Sequence, residues 1–278
     1  MRKVLFLAII VSLAICLVVL NCCSDINRRT PMDIEYFNLV KAIPLGMHTD
    51  KIQYHSPSNT LYAMSIKSQE IYIFQDQERK NVLGGLGSSK VNFQYLADIA
   101  MGSDNSLYVL DSSARIVKKF SSDGSPSGSI ELKNSVQPKC LCIYQDQGLF
   151  IFDTASGEII NYSGIDGTEL NRFGRFQLQQ VNSLFCNHDY LIAYDKANNV
   201  SNIFSVLGQF VKTEQGQVVY DLYNNAICFN AGMLKCLSSS AYLPLAAENV
   251  FMCISNDLLA LRIGEEIRIY KINYARVE

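Results

Sequence analysis

Four segments of equal length recur along the chain and constrain its fold more than any other feature. They are LYAMSIKSQEIYIF from Leu61, LYVLDSSARIVKKF from Leu107, LFIFDTASGEIINY from Leu149 and LIAYDKANNVSNIF from Leu191. Each has two short apolar runs around a polar turn, the pattern of a β-hairpin. Successive copies begin 46, 42 and 42 residues apart. This spacing is typical of propeller blades built from four short strands.

Two weaker copies, AICFNAGMLKCL from Ala226 and LLALRIGEEIRIY from Leu258, bring the number of hairpins to six. A β-prone run precedes most hairpins, and a glycine turn with a further strand follows several of them. No window between the strands shows the apolar spacing of three and four residues that a helix needs. The sequence therefore predicts an all-β fold, a six-bladed β-propeller, rather than two domains or an α/β fold.

The last copy leaves too little chain for a complete outer strand, and the N-terminal part of the fold offers a replacement. The stretch YFNLVKAIPLG, residues 36–46, has strand character. A ring closed by pairing strands from the two chain ends has fewer open sheet edges. We therefore predict that residues 34–46 form the outer strand of the blade that contains residues 248–273. The propeller then spans residues 34–278, and residues 24–33 form a short tether.

The first 23 residues, MRKVLFLAIIVSLAICLVVLNCC, place two basic residues before an apolar run that ends at Leu20. This pattern is typical of an export signal. Its cysteine end resembles the lipobox of bacterial lipoproteins, which implies acylation of Cys22 or Cys23. An uncleaved signal anchor is the alternative, because an apolar run of 17 residues lies at the lower limit for spanning a bilayer. Both readings predict an extracytoplasmic protein tethered to a membrane of the bacterial cell envelope.

Charge and motifs exclude several classes of function. The formal net charge is -2, and loss of the basic signal would make it more negative, which weighs against a nucleic-acid partner. The sequence contains no nucleophile elbow, phosphate-binding loop or dinucleotide fingerprint. It also lacks the histidine and cysteine spacings of a catalytic metal site. We therefore expect no cofactor, with a divalent cation in the channel as the alternative.

Three aspartates, Asp111, Asp153 and Asp195, recur at the end of the first strand of their hairpins. A ring of carboxylates could bind a cation. An aspartate at the head of a tight turn also accepts hydrogen bonds from backbone N–H groups two or three residues on, and this role explains every copy. We therefore predict a structural role. His48 and His188 fall in loops that we expect at opposite ends of a propeller, so they do not predict a shared site.

Six cysteines follow the export signal: Cys140, Cys142, Cys186, Cys228, Cys236 and Cys253. An even number in an oxidising compartment is compatible with disulfides. A free cysteine also packs as a small apolar side chain, and a domain of this size needs no covalent staples. Free core thiols are the prediction, and a disulfide set is the alternative.

With these repeats, the chain resembles the NHL-repeat family of six-bladed β-propellers. The segment DIAMGSDNSLYVLDSSARIVKKFSSDG, residues 98–124, matches best, and residues 137–167 match next. The family combines an inner strand, a polar turn, a short strand ending in aspartate, and an aromatic residue before an Asp-Gly turn. Propellers of this kind include protein-interaction modules, RNA binders, lyases and lactonases. The resemblance therefore implies an architecture and leaves the function open.

Loops that lead from one blade to the next meet the middle turns of the hairpins at one end of a propeller. Such loops carry recognition while the blades hold them rigid. The candidate binding face comprises His48, Lys51, Asn92, Arg115, Gln137, Lys196 and Arg262. The loops that hold these residues also contain acidic residues such as Asp50 and Glu265, and this mixed charge suits a protein or peptide of the envelope. The leading hypothesis is a membrane-anchored lipoprotein that serves as a binding or assembly module. The alternative is a metal-dependent enzyme of the lyase or lactonase kind with its site at the channel mouth.

Overall fold

The computed structural model describes residues 32–145, 148–247 and 250–276. Cys22 and Cys23, with the predicted export signal and most of the predicted tether, lie outside the described residues. Within the described part, no helix is long and apolar enough to cross a membrane. The residues Asp33–Ala275 form a single compact unit, and the description below concerns that unit.

The described chain forms six four-stranded sheets, which confirms the predicted all-β propeller. In the first five sheets the order of the strands in space is their order in the sequence. Blade 1 comprises β2 (Lys51–His55), β3 (Thr60–Ser65), β4 (Glu70–Gln75) and β5 (Glu78–Gly84). Blade 2 comprises β6 (Leu96–Met101), β7 (Leu107–Asp111), β8 (Ile116–Phe120) and β9 (Pro126–Glu131). Blade 3 comprises β10 (Pro138–Tyr144), β11 (Gly148–Asp153), β12 (Glu158–Ser163) and β13 (Glu169–Phe173).

The remaining three blades follow in chain order. Blade 4 comprises β14 (Val181–Cys186), β15 (Tyr190–Asp195), β16 (Val200–Ser205) and β17 (Phe210–Gln215). Blade 5 comprises β18 (Gln217–Tyr220), β19 (Ala226–Asn230), β20 (Met233–Cys236) and β21 (Tyr242–Pro244). Blade 6 comprises β22 (Val250–Ser255), β23 (Leu258–Ile263), β24 (Glu266–Arg276) and β1 (Met32–Pro44). All six hairpins recognised in the sequence are the middle strands of these blades.

The N-terminal strand completes the last blade, as predicted. The order of the sixth sheet is β1-β24-β23-β22, so β1 lies at its outer edge. The amide of Leu45, just beyond β1, donates a hydrogen bond to the carbonyl of Glu265 at 2.8 Å. Ile34 and Ile43 of β1 are almost fully buried, in two different core clusters. The strand therefore belongs to the packed core and closes the ring.

The hydrophobic core is divided into six clusters, one at each interface between neighbouring blades. This division follows from the strand period of two, which sends alternate side chains to opposite faces of a sheet. Aromatic rings also pack between blades: Phe173 of blade 3 and Phe204 of blade 4 have ring centroids 5.4 Å apart. Each blade is thus stabilised mainly by its two neighbours, which makes the ring a rigid support for the loops at its ends.

Candidate functional site

Two cavities open at opposite ends of the central channel. The innermost strand of each blade begins at one end and finishes at the other. Residues near the starts of five innermost strands line a cavity of about 740 Å³, and residues near the ends of all six line a cavity of about 540 Å³. We call these ends the upper mouth and the lower mouth, respectively. The predicted binding face lies at the upper mouth.

The repeated aspartates tie the loops of the upper mouth to the blades. Asp153 Oδ1 accepts hydrogen bonds from Ser135 Oγ at 2.7 Å and from the amides of Val136 and Gln137 at 2.9 and 2.6 Å. Its Oδ2 accepts the amide of Ser156, three residues on, at 3.1 Å. The predicted turn role is therefore confirmed. The same carboxylate also anchors the loop that arrives from the preceding blade, which the sequence analysis did not predict.

Asp111 has the same double role in blade 2. It accepts the amides of Gln94 and Tyr95, in the incoming loop, at 2.9 and 3.0 Å, and the amide of Ala114 in its own turn at 3.3 Å. In blade 4, Asp195 accepts the backbone and side-chain N–H groups of Asn198. Loops held in this way are presented to a partner with little conformational freedom, which lowers the cost of ordering them on binding.

The seven residues of the predicted face differ in exposure. His48, Arg115, Gln137 and Lys196 are exposed, and Asn92 and Arg262 are partly buried. Lys51 differs from the expectation of a surface lysine, because its exposed fraction is only 4%. It is the first residue of an innermost strand, and its side chain points into the channel instead of outward from a loop. Lys51, Lys196 and Arg262 share the lining of the upper cavity.

A buried ion pair lies at the floor of the upper mouth. Lys51 Nζ of blade 1 is 2.5 Å from Asp98 Oδ1 of blade 2. The amides of Ile99 and Leu141 also donate to this carboxylate, both at 2.8 Å. Burial raises the pKa of Asp98, although Lys51 and the two amides act in the opposite direction. The pair therefore links three blades at a considerable desolvation cost.

Arg262 is the most unusual cation at the upper mouth. Its Nε is buried and has no hydrogen-bond partner, and its guanidinium group forms no ion pair with any described residue. Burial lowers the pKa of Arg262, and the charge of nearby Asp50 offsets this effect only in part. A guanidinium group presents its donors in a fixed fork that matches a carboxylate. The arrangement can therefore bind an anionic group that enters the cavity.

The lower mouth has a different chemistry. His55 and His188 line it, together with Cys142, Cys186 and Cys253. His48 is 3.4 Å from Asp50, which lines the upper cavity, so His48 and His188 lie at opposite ends, as expected. Burial lowers the pKa of His55. All six cysteines beyond the predicted export signal are free thiols, which confirms the prediction of unpaired core cysteines.

The alternative of a channel cation depends on converging ligands. Among the described residues, no group of three or more histidine, cysteine, aspartate or glutamate side chains is arranged to hold a metal ion. At the upper mouth, the carboxylate of Asp98 is occupied by Lys51, and Asp50 Oδ2 accepts the amide of Ile66 at 2.7 Å. The residues present therefore do not match the donor set of a divalent cation, and no catalytic step follows from one.

Three further residues that line the upper cavity were not predicted from the sequence. Asp98, Gln217 and Phe251 all lie on innermost strands and line the cavity. Their positions in the blades are not repeated, so the internal repeat gave no signal for them. A polar residue within an otherwise apolar innermost strand, such as Asp98 in LADIAM, is the one feature that could have indicated a side chain facing the channel.

Comparison with known proteins supports the fold alone. No family model matches the sequence, and no curated protein matches it significantly. Selenomethionine-substituted virginiamycin B lyase from Staphylococcus aureus is similar in structure, with a TM-score of 0.59 and 9% identity over 85% of this chain and 100% of that chain. A catalytically inactive variant of that lyase with quinupristin gives a TM-score of 0.58 and 10% identity over 89% of this chain and 97% of that chain.

Proposed function

We propose that this chain is an exported lipoprotein whose propeller acts as a binding or assembly module for a protein or peptide in the bacterial cell envelope. The observation that carries this proposal is the upper mouth, where the exposed residues Arg115 and Gln137 lie on loops whose backbone amides are held by Asp111 and Asp153. Such a surface is preorganised for recognition. The N-terminal sequence directs the chain to export and to membrane attachment, with Cys22 or Cys23 as the acylated residue. The repeats are those of an NHL-like propeller.

Crosslinking in the native envelope tests the binding role. A photoreactive residue replaces Arg115 or Gln137 at the upper mouth, and His188 at the lower mouth serves as the matched control, since all three side chains are exposed. We expect a discrete crosslinked protein or peptide from the two upper positions and none from His188. Absence of any product from the upper positions, or identical products from all three, would contradict the proposal.

Metabolic labelling tests the membrane tether separately. The full chain is produced in a bacterium supplied with an alkyne-tagged fatty acid, beside the variants Cys22→Ala and Cys23→Ala. We expect label on the wild-type chain and on only one of the two variants. An unlabelled chain that keeps its N-terminal residues and stays in the membrane fraction would instead indicate a signal anchor.

A second candidate, a metal-dependent lyase or lactonase, is favoured by the structural similarity to virginiamycin B lyase. The identities of 9% and 10% make this an argument from fold. Metal analysis of the purified chain discriminates between the candidates. A stoichiometric divalent cation that remains after dialysis would favour the enzyme, and a metal-free protein that still forms the crosslink would favour the binding module.

A further inference from the structure

The acidic groups of the upper mouth are already satisfied by the protein. Lys51 and two backbone amides occupy Asp98. The amide of Ile66 and the imidazole of His48 contact the two oxygens of Asp50. No carboxylate of the described residues lies within ion-pair distance of Arg262. The cavity therefore has two cationic groups that form no ion pair with a described carboxylate: Arg262, which has Asp50 nearby, and the exposed Lys196 on the rim.

Arg262 lies next to other groups that suit a ligand. It is directly opposite Phe251 in the register of β22 and β23, and Lys51 Nζ is 5.8 Å from the centroid of the Phe251 ring. The three side chains thus lie close together, at the junction of blades 6 and 1. Beyond Asp98, Lys51 Nζ has no acceptor among the described residues. An anion bound by Arg262 would therefore lie in the field of a second cation as well.

Gln217 of blade 5 presents an unpaired hydrogen-bond acceptor in the cavity, which an anion without a donor group would leave unpaired. It is only 2% exposed, it lines the same cavity, and its Oε1 has no hydrogen-bond partner in the described part of the chain. Buried polar atoms are almost always paired. An acceptor left free in a cavity suits an N–H or O–H group of a ligand. The complementary ligand therefore carries a carboxylate and a hydrogen-bond donor.

We propose that the upper mouth binds the C-terminal carboxylate of a peptide or protein, with Arg262 as its principal anchor and Gln217 as the acceptor for a backbone N–H. A chain terminus presents these two groups close together, whereas a simple aliphatic acid has only the first. A volume of about 740 Å³ is within the range of small-ligand pockets and holds a few residues. The inference rests on the proposed function, because it names the chemistry by which the face recognises its partner.

Peptide binding to the full chain tests the inference. The probes are a fluorescent pool of mixed-sequence pentapeptides with free C-terminal carboxylates and the same pool with C-terminal amides. We expect amidation to weaken binding about 10- to 100-fold, the range for loss of a charge-assisted hydrogen bond. Equal binding of the two pools would overturn the proposal, and this comparison needs no variant.

Variants then locate the site. Arg262→Gln is expected to remove the preference for the free carboxylate, and Lys196→Gln to reduce it. Lys80→Gln, which removes an exposed cation of the outer strand β5, outside the predicted binding face and the cavity, is expected to retain the preference. If Arg262→Gln does not fold, as judged by its circular dichroism and melting, Lys196→Gln carries the test. A preference unchanged in every folded cavity variant would place the site elsewhere and overturn the assignment.

Competition with propionate distinguishes a peptide C-terminus from a small aliphatic acid as the ligand. We expect propionate to displace the free-carboxylate pool only weakly, because it has no N–H for Gln217. Displacement at the affinity of the peptides would overturn the peptide terminus in favour of a small acid. A crosslinked partner at Arg115 or Gln137 without carboxylate dependence would leave the proposed function standing and refute only this inference. Carboxylate binding without any envelope partner would refute the proposed function and leave the cavity site standing.

Discussion

Lys51 Nζ and Asp98 Oδ1 are 2.5 Å apart, and neither side chain exceeds 5% exposure. They come from the innermost strands of adjacent blades, so their contact crosses the interface between blades 1 and 2. Because Asp98 also accepts an amide of blade 3, one carboxylate connects three of the six blades.

Removing one partner of this pair should be more harmful than changing both. Lys51→Met leaves a buried carboxylate without its cation, which costs about 3–5 kcal/mol. In Lys51→Met with Asp98→Asn, no charge remains and the amide oxygen still accepts a backbone N–H, so most of the stability should return. Urea unfolding of the two single variants and the double variant measures the coupling. Additive losses would show that the two charges are independent.

The carboxylate of Asp153 should stabilise the loop before blade 3. Asp153→Ala leaves Ser135 Oγ and the amides of Val136 and Gln137 without their acceptor, which lowers the free energy of unfolding by about 1–3 kcal/mol. Asp123→Ala is the control, because that exposed carboxylate binds only its own turn, and its loss should be much smaller. Urea unfolding at pH 7 measures both variants. Equal losses would contradict a role in anchoring the loop.

The carboxyl group of Asp153 also predicts that the free energy of unfolding depends on pH. Burial alone would raise the pKa of Asp153, but the hydrogen bonds from Ser135, Gln137 and Ser156 outweigh it and hold the pKa below its usual value. A depressed pKa in the folded state stabilises the fold above the ordinary carboxyl pKa of about 3.9, and this stability is lost as the pH falls through the folded value. Asp153→Asn should therefore differ from the wild type at pH 7 and approach it near pH 3. A difference that grows towards acid would contradict the sign.

The blades were predictable from the sequence because each blade must bury side chains at the same strand positions, so the same apolar pattern recurs in several copies. Leu61, Leu107, Leu149 and Leu191 are each the first or second residue of the second strand of a blade, and all four are buried. The closing strand was predictable for a related reason, because the sixth copy lacked an outer strand and only the N-terminal stretch could replace it. Both inferences depend only on the repeated alternation of apolar and polar residues, which can be seen directly in the sequence.

The contents of the channel were not predictable in the same way. Lys51 and Asp98 are separated by more than 40 residues and come from different blades, so only the closed ring brings them together. The prediction of Lys51 as a surface residue followed from its place in the loop that begins at His48 and leads into blade 1. Gln217 begins the short innermost strand β18, which has no long apolar run to mark it in the sequence. A site formed by unrepeated residues of separate blades leaves no periodic signal.

The six thiols should differ sharply in reactivity. Cys186 is the only one of them that is partly exposed. Burial raises the pKa of Cys228 to about 11 and that of Cys253 to about 12, and a thiol that stays protonated reacts slowly. In the native protein, maleimide followed by peptide mapping should modify Cys186 first and the buried five only after unfolding.

The variant Cys186→Ser provides the control for this labelling. It should abolish the fast reaction and leave the slow reactions unchanged. Early labelling of Cys228 or Cys253 would show that the blade interfaces open more readily than their packing indicates. A disulfide recovered among the six from freshly isolated protein would contradict their assignment as free thiols.

Strand β1 should contribute to stability through both faces of the last blade. Ile34 is 1% exposed, in the cluster between blades 5 and 6, and Ile43 is 2% exposed, in the cluster between blades 6 and 1. Truncation of a buried isoleucine to alanine costs about 2–5 kcal/mol. Because the two residues are nine positions apart on a strand and belong to different interfaces, the losses in Ile34→Ala and Ile43→Ala should be nearly additive.

Leu39→Ala is the matched control, since Leu39 lies on the same strand but is 49% exposed, and its effect should be small. Urea unfolding of the three single variants and the Ile34→Ala/Ile43→Ala double variant provides the measurement. The ring depends on β1 for closure only if the isoleucine variants lose stability and Leu39→Ala does not. A chain that begins after Pro44 and unfolds at the same urea concentration as the full chain would show that the propeller closes without its N-terminal strand.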